Sequence, residues 1–232
     1  MEPAPPVPET TSGARHALPV RLWHWVNAAT LIVMGMSGLM ILNAHPHLYW
    51  GQYGANFDHA WASFSRFPGW ATIPSTYSLA DARLWHLFFA WILALSFTGF
   101  LLWALLRGHF RRDIAPRAAE LAPAHMWAEV RDHARLRFPP HGAPYNTLQK
   151  LTYLAVLALL LPLAILTGLT LSPGMDAAWP WLLDLFGGRQ SARSLHFIAF
   201  AGLFAFLVIH VLLVLLAGPI GLLRGMITGR RT

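Results

Sequence analysis

Four long apolar segments constrain this chain more than any other feature. Each is long enough to cross the hydrocarbon core of a bilayer as a helix, for which about 20 apolar residues suffice. With 56% hydrophobic and only 12% charged residues, the 232-residue chain is too apolar for an ordinary soluble domain. The sequence therefore predicts an all-α fold, an integral membrane four-helix bundle. The predicted spans are residues 25–42, 84–106, 148–171 and 195–217.

The rest of the chain is predicted to form tails and connections rather than a second folded domain. Residues 1–20 are rich in proline and lack the charged start and apolar stretch of a cleaved signal peptide. We interpret them as a retained, flexible N-terminal tail. Residues 21–232 are interpreted as one membrane domain.

The basic residues predict the orientation of the spans. All but four of the 17 lysines and arginines lie in the two tails and in the connection between the second and third spans. The four exceptions are Arg66, Arg83, Arg189 and Arg193. The positive-inside rule therefore predicts that both termini and the middle connection are cytoplasmic. Since this topology explains the net charge of +7, nucleic-acid binding is not predicted.

The chain contains no cysteine. This excludes iron–sulfur clusters held by thiolates, c-type haem attached through a CxxCH motif, and disulfides. A redox group held by this chain must be bound without a covalent link and ligated mainly by nitrogen.

Four of the 12 histidines are predicted to lie at membrane depth: His24, His86, His196 and His210. The first three each end an Arg-x-x-His motif, which begins at Arg21, Arg83 or Arg193. In a helix the arginine then lies one turn before the histidine on the same face. Haem b needs both groups, because imidazole ligates its iron and guanidinium pairs with its propionates. Ionisable residues inside spans indicate function, although a single such histidine often only hydrogen-bonds to a neighbouring helix.

The depths of these histidines predict two pairs. His86 and His196 begin the second and fourth spans at the outer side, whereas His24 begins the first span at the cytoplasmic side. His210 lies 14 residues after His196, about 21 Å deeper and on nearly the same helical face. The expected cofactors are therefore two haem b groups, an outer one held by His86 and His196 and an inner one held by His24 and His210.

Two glycines of the first span, Gly35 and Gly38, follow His24 on roughly its own face and reach the depth of the outer haem. They are open to two interpretations, clearance for a flat macrocycle or close packing between helices. No comparable clearance is predicted on the second span, where Phe97 and Phe100 hold the equivalent positions.

These features resemble the bacterial cytochrome b561 and nickel-hydrogenase cytochrome b superfamily. The likeness rests on four spans, Arg-x-x-His-Trp at the start of the first, a histidine opening the second and His-x13-His in the fourth, and it runs from residue 21 to about residue 231. Residues 145–150, 217–219 and 224–229 are most similar to thiosulfate-reductase-type cytochrome b subunits. The resemblance implies a di-haem b subunit of a respiratory oxidoreductase in the bacterial inner membrane. Such subunits exchange electrons between membrane quinone and a periplasmic, often molybdenum-containing, partner.

The same resemblance implies that quinone binds beside the inner haem, through Asn146 and Gln149. Both side chains can hydrogen-bond a quinone carbonyl. Asn146 also fits a plain helix N-cap, and Leu148 stands where a relative, formate dehydrogenase, has glycine. Both interpretations of Asn146 stay open on the sequence.

The connection between the first two spans, residues 43–83, is long and rich in aromatic residues. Such loops usually have a purpose, and we expect membrane anchoring, docking of an outer redox partner, or both. Its histidines, His45, His47 and His59, match no firm copper or zinc pattern and are interpreted as surface residues. On the cytoplasmic side, residues 115–138 predict an amphipathic helix lying on the membrane surface.

Two alternatives to the partner-linked subunit remain. One is a stand-alone cytochrome b561 that oxidises superoxide and reduces ubiquinone. The other is a transporter or structural anchor without haem, which would be expected to show broken helices and internal repeats. Pro162 is the only proline break inside a predicted span.

Overall fold

The computed structural model describes residues 17–54, 59–135 and 146–229. Four helices in these ranges are long and apolar enough to cross a bilayer, which confirms the predicted all-α membrane bundle. They are Leu18–Ala44, Leu79–Leu106, Thr147–Leu171 and Arg189–Leu216, called the first to fourth spans below. The first, second and fourth begin seven, five and six residues earlier than predicted, and the third begins one residue earlier. Residues 1–16 of the predicted tail lie outside the described ranges.

The spans form two antiparallel hairpins. In the first hairpin, Trp23 stacks on Phe100 with ring centroids 4.3 Å apart, and Asn27 Nδ2 donates to Ser96 Oγ at 3.3 Å. In the second hairpin, a Cβ added to Gly202 would lie 3.0 Å from Leu160 of the third span. Leu18 and Thr228 therefore share one end of the bundle, named the proximal end. The described parts of the connections 45–78 and 172–188 share the other, named the distal end.

A compact apolar cluster joins the two hairpins at mid-bundle. It includes Leu93, Phe97 and Phe100 of the second span and Leu157 and Leu161 of the third. By contrast, many leucine, isoleucine, valine and tryptophan side chains on the outside of the spans are exposed. An outward apolar surface of this extent suits contact with lipid rather than water.

The third span is continuous but changes its hydrogen-bonding register. A π-helical stretch, Ala155–Leu160, separates the α-helical segments Thr147–Leu154 and Leu161–Leu171. Pro162 follows directly and has no N–H to donate to the preceding turn. The wider turn accommodates the proline without breaking the span, as π-bulges commonly do.

At the distal end, the long first connection caps the fourth span. Its chain folds back through a short antiparallel pair, His47–Leu48 with Ala62–Ser63. The Gly51 carbonyl accepts from the N–H groups of Gln190 and Ser191, at 2.9 and 3.1 Å, and Gln52 Oε1 accepts from Arg189 N at 2.9 Å. Helix starts leave such N–H groups without partners. The connection thus has a structural task beyond the membrane anchoring and docking expected from its aromatic residues.

Position 188 requires glycine, because the first connection lies very close to its backbone. A Cβ on Gly188 would lie 2.7 Å from Gln52 Oε1 and 2.9 Å from the Gly51 carbonyl. The backbone of Gly188 has a φ of 105°, a conformation that residues with a side chain rarely adopt.

At the proximal end, a helix spanning Pro123–Ala134 holds the start of the third span. Glu129 accepts from the N–H groups of Thr147 and Leu148, at 3.2 and 3.0 Å, and Lys150 forms a salt bridge with Glu120 at 2.9 Å. A helix was predicted over 115–138. The structure confirms its central part, preceded by a 3₁₀ turn at Ala118–Leu121, while 136–138 lie outside the described residues.

A final helix, Pro219–Thr228, follows the fourth span at the proximal end. Arg21 donates through Nε to the Met226 carbonyl at 3.2 Å and through Nη2 to the Ile227 carbonyl. Trp25 Nε1 also donates to Met226, at 3.3 Å. A cation at the last carbonyls of a helix stabilises its negative end.

Candidate functional site

Two of the predicted ligands, His86 and His196, meet near the distal end. Each is the eighth residue of a 28-residue span, so equal helical rises bring both to the same depth. Their ring centroids lie 6.1 Å apart with an interplanar angle of 69°. They project from different hairpins and face each other across the bundle.

A hydroxyl group touches each of these rings. Ser37 Oγ lies 3.1 Å from His86 Nδ1, and Thr167 Oγ1 lies 3.0 Å from His196 Nδ1. Both hydroxyl residues are fully buried and belong to the span that pairs with the histidine's own span. Neither was predicted as a site residue.

A glycine follows each hydroxyl residue and lies against the same ring. A Cβ on Gly38 would be 3.4 Å from His86 Cε1, and one on Gly168 would be 3.2 Å from His196 Cε1. Gly35 instead faces the Phe200 ring, which its Cβ would approach to 3.2 Å. Both glycines line open space, and Gly35 also permits close contact with the fourth span, while their role as clearance for a macrocycle stays a prediction.

A cavity of about 450 Å³ lies between these residues. Its apolar walls come from all four spans and include Leu31, Leu93, Ala164 and Phe200. Volumes of this size are typical of cofactor pockets. The distal pair is thus placed in a cavity large enough for a flat, mostly apolar group.

The mouth of the cavity is basic. Arg83, Arg189 and Arg193 line it together with His45 and Gln190. Arg193 donates to the His45 carbonyl at 2.7 Å and to Gln190 Oε1 at 3.0 Å. Burial, and then the charges of Arg193 and Arg83, hold the pKa of the His45 ring below its usual value. The mouth can therefore receive an anionic group beside a neutral imidazole.

The other predicted ligands, His24 and His210, meet toward the proximal end. Their ring centroids are 6.2 Å apart at an interplanar angle of 60°. Aromatic rings surround them, since Phe206 stacks on His210 at 5.6 Å and Trp25 meets His24 edge-on at 5.0 Å. Arg21, one turn before His24, is directed to the carbonyls of the final helix. No hydrogen bond joins its Nη1 to any residue that the structure describes.

The spacing of both pairs suits a metal ion that would be held between two imidazoles. Two metal–imidazole bonds of about 2 Å, each extended by about 1 Å from the nitrogen to the ring centre, predict centroids roughly 6 Å apart. The observed separations of 6.1 and 6.2 Å agree with this value. The donor set of two imidazoles, with arginine at the edge, also matches the chemistry of haem b.

Asn146 and Gln149, the predicted quinone ligands, form a reciprocal capping box at the start of the third span. Asn146 Oδ1 accepts from Gln149 N at 2.8 Å, and Gln149 Oε1 accepts from Asn146 N at 3.2 Å. Asn146 Nδ2 also lies 3.3 Å from His133 Nε2. The capping interpretation of Asn146 is therefore confirmed, and a quinone role would use groups beyond the cap.

The histidines of the first connection do not form a metal cluster with one another. His47 Nδ1 pairs with Ser63 Oγ at 2.8 Å, and His45 faces the cavity mouth. Across residues 17–54, 59–135 and 146–229, no three histidine, aspartate or glutamate side chains converge on a metal position.

Sequence reasoning missed the groups that support the distal pair. Arg189 was counted only for topology, and Ser37, Thr167 and Gly168 were not singled out. The signal in the sequence is weak, because a hydroxyl residue followed by glycine occurs in the first and third spans but also in the second, as Thr98-Gly99.

Comparison with known proteins agrees with this geometry. The family model described as prokaryotic cytochrome b561 matches residues 15–229. A probable Ni/Fe-hydrogenase B-type cytochrome subunit of Azotobacter chroococcum is 27% identical over 210 residues, covering 84% of this chain and 77% of the relative. A similar subunit of Cupriavidus necator is 24% identical over 229 residues, covering 92% and 84%.

A further relative belongs to a different enzyme. A putative protein-methionine-sulfoxide reductase subunit, YedZ1, of Azospira oryzae is 27% identical over 200 residues, covering 85% of this chain and 88% of the relative. No solved structure matches the chain significantly. The finer resemblance to thiosulfate-reductase-type subunits stays a prediction. The match over nearly the whole chain, on a four-span bundle with paired histidines, shows that this protein belongs to the prokaryotic cytochrome b561 family of bacterial inner-membrane electron carriers, whose cofactor is haem b.

Proposed function

We propose that this chain is a di-haem electron-transfer subunit that links the quinone pool to a redox enzyme outside the cytoplasm. His86 and His196 ligate one haem b, and His24 and His210 ligate the other. The observation that carries this proposal is the pair of histidine separations, 6.1 and 6.2 Å, each of which fits one iron between two imidazoles. Haem b supplies one-electron transfer at both positions.

Arginines hold the propionates of both haems. At the distal site, Arg83 and Arg193 line the mouth of the cavity and offer guanidinium donors to carboxylates. At the proximal site, Arg21 offers Nη1 while its other nitrogens hold the final helix. These contacts neutralise the carboxylates where the spans leave the apolar core.

The distal end faces the periplasm and the proximal end the cytoplasm. The excess of basic residues in the proximal connection and tails supports this orientation. Quinone then reacts near the start of the third span, with Asn146 and Gln149 as hydrogen-bonding residues. Gln149 is exposed, and Asn146 donates through one amide hydrogen toward His133 while a second remains to meet a quinone carbonyl.

The redox partner docks on the distal end. Relatives of this chain are named as subunits of a hydrogenase and of a methionine-sulfoxide reductase, which supports a role inside a larger oxidoreductase. Exposed aromatic residues of the first connection, including Trp50, Tyr53 and Trp70, offer contact surface for a periplasmic, molybdenum-containing enzyme and for lipid headgroups.

Haem quantification tests the central proposal. Purified protein is expected to show b-type absorption and two haems per chain. His86→Ala and His196→Ala should each remove the same haem, whereas His24→Ala and His210→Ala should each remove the other. A single haem per chain, or a crossed pattern of losses, would overturn the pairing.

The quinone role of Asn146 is separable from its capping role. Asn146→Ser retains a side-chain oxygen that caps a helix but lacks the amide hydrogens. We expect this variant to keep both haems and to exchange electrons with quinone more slowly than the native protein. Kinetics equal to those of the native protein would leave Asn146 as a helix cap alone.

Copurification distinguishes the partner-linked subunit from a stand-alone superoxide oxidase. Gentle extraction from the native membrane should recover a molybdoenzyme or another redox enzyme bound to this chain. Recovery of the chain alone, together with rapid reduction of its haems by superoxide, would favour the stand-alone alternative. The haem-free transporter is disfavoured by membership of a cytochrome family.

A further inference from the structure

A hydroxyl residue followed by glycine lies against each histidine of the distal pair. Ser37-Gly38 of the first span and Thr167-Gly168 of the third contact equivalent atoms of two different histidines. In each case the hydroxyl oxygen contacts Nδ1, at 3.1 and 3.0 Å, and the glycine lies against Cε1. Each dipeptide comes from the hairpin that carries the histidine it contacts.

The hydroxyl hydrogens are already committed to the backbone. Ser37 Oγ donates to the Val33 carbonyl at 2.8 Å, and Thr167 Oγ1 donates to the Leu163 carbonyl at 2.5 Å. A hydroxyl has one hydrogen, so each oxygen receives a hydrogen from Nδ1 of its histidine.

This arrangement decides the tautomer of both rings. With hydrogen on Nδ1, the Nε2 lone pair is free to face the centre of the site. Ligands of metals are commonly oriented and made more basic by such a hydrogen bond on the other ring nitrogen. The adjoining glycine lets the ring lie close to the helix, because no side chain stands between the helix backbone and Cε1.

The proximal rings lie in different surroundings. Phe206 stacks on His210, and Trp25 meets the edge of His24. Two haems with identical ligand types are therefore embedded among different neighbours.

We propose that Ser37-Gly38 and Thr167-Gly168 are paired brackets, one from each helical hairpin, that fix the tautomer and donor strength of the distal histidines and so set the distal haem's potential. The inference rests on the proposed ligation of that haem by His86 and His196. A hydrogen bond from Nδ1–H increases electron density on the imidazole, which favours ferric over ferrous iron. The brackets therefore lower the potential of the distal haem.

Thr167→Val tests this on the full-length protein, because valine has the shape of threonine without its hydroxyl. The expected result is a higher midpoint potential for the distal haem alone, measured by optical redox titration, and a shifted low-spin ferric EPR signal for that haem. Ser37→Ala should act in the same direction. Thr167→Ser, which keeps the hydroxyl, should have the same midpoint potential as the native protein.

Thr170→Val is the matched control. Thr170 is also fully buried in the third span, but its hydroxyl donates to the Thr167 carbonyl and not to a histidine. This variant should keep the native potential and EPR signal. If Thr167→Val matches Thr170→Val in both measurements, the bracket proposal is overturned.

Two variants together separate failure of the bracket proposal from failure of the proposed haem ligation. If His196→Ala removes a haem but Thr167→Val changes neither potential nor EPR signal, the ligands stand and the brackets do not. If His196→Ala removes no haem, the proposed ligation itself fails.

Discussion

The distal and proximal histidine pairs have nearly equal separations but unequal surroundings. The distal pair lines a cavity of about 450 Å³, with a hydroxyl and a glycine against each ring and three arginines at its mouth. The proximal pair lies between aromatic side chains, and two of the three guanidinium nitrogens of Arg21 bind the end of the final helix. Equal spacing of the histidines therefore does not imply equal electrostatics, and the two proposed haem sites should differ in potential and in sensitivity to substitution.

The difference follows from what covers each end of the bundle. At the distal end, the first connection is hydrogen-bonded to the start of the fourth span and carries His45 to the cavity mouth. At the proximal end, two separate helices bind the ends of the first and third spans. One end is closed by a loop tied to the span that carries His196, the other by two short helices.

Loss of a distal ligand should produce the largest effect. On the proposed ligation, His196→Ala removes one of the two imidazoles that would hold the distal haem, so we expect half of the haem to be lost and the remaining half to keep the spectrum of the proximal site. Haem quantification and low-temperature optical spectra measure both quantities. His133→Ala, which changes a histidine outside the spans, is the control and should retain both haems.

Narrowing the distal cavity should have the next largest effect. Gly168→Ala places a Cβ about 3.2 Å from His196 Cε1, and overpacking of this kind costs typically about 1–3 kcal/mol. We expect lower distal haem occupancy and an altered ferric EPR signal. Gly99→Ala is the control, since a Cβ there meets no atom within 4 Å. Equal occupancy in the two variants would show that the cavity is not tightly fitted around the ring.

The arginines at the cavity mouth should raise the midpoint potential of the distal haem, an effect smaller than the two above. A positive charge favours the more negative, reduced state, so Arg83→Gln should lower the midpoint potential of the distal haem by a few tens of millivolts. Redox titration of both haems measures the shift. Arg66→Gln removes the same charge at the same end, but Arg66 stacks on Tyr77 away from this cavity. A matching shift in that variant would indicate a general field of the distal end rather than a propionate contact.

The smallest effect should come from changing Glu129, whose carboxylate binds the start of the third span. Burial raises the pKa of Glu129, but the N–H groups of Leu148 and Thr147 and the Thr147 hydroxyl outweigh it, so the pKa is below its usual value. The stabilisation is therefore present above the unfolded pKa and is lost as pH falls through the lower, folded one.

Amide hydrogen exchange at Thr147 and Leu148 can follow this loss. Glu129→Gln should weaken the start of the third span by about 1 kcal/mol, as for other helix caps, and make exchange protection there nearly independent of pH below neutrality. Both haems should remain bound. Protection that falls with acid equally in both proteins would assign the titration to another group.

Much of this fold could be predicted from the sequence because the bilayer restricts the possibilities. A run of apolar residues must satisfy its backbone internally, so it forms a helix. The ends of the spans were therefore located within two residues and their starts within about two turns, and helical rise paired His86 with His196 and His24 with His210. The structure brings these residues together, while their ligation of iron stays a proposal.

Other features depended on contacts between distant segments. The first connection was expected to anchor or dock, and its capping of the fourth span could not be predicted, because the Gly51 carbonyl and Gln190 are 139 positions apart. Asn146 was correctly considered as a cap, since capping depends on residues three positions apart. Arg21 was assigned to a propionate from its spacing, and its contact with Met226 required the final helix to fold back.

The sequence by itself determined a four-span membrane bundle, its histidine pairs and its family, because hydropathy and helical periodicity are local properties of the chain. Only the tertiary structure decided which side chains meet those histidines. Ser37 reaches His86, and Thr167 reaches His196, through the rotation and packing of antiparallel helices. That rotation depends on side-chain fit along the whole helix interface, which no short segment of sequence specifies.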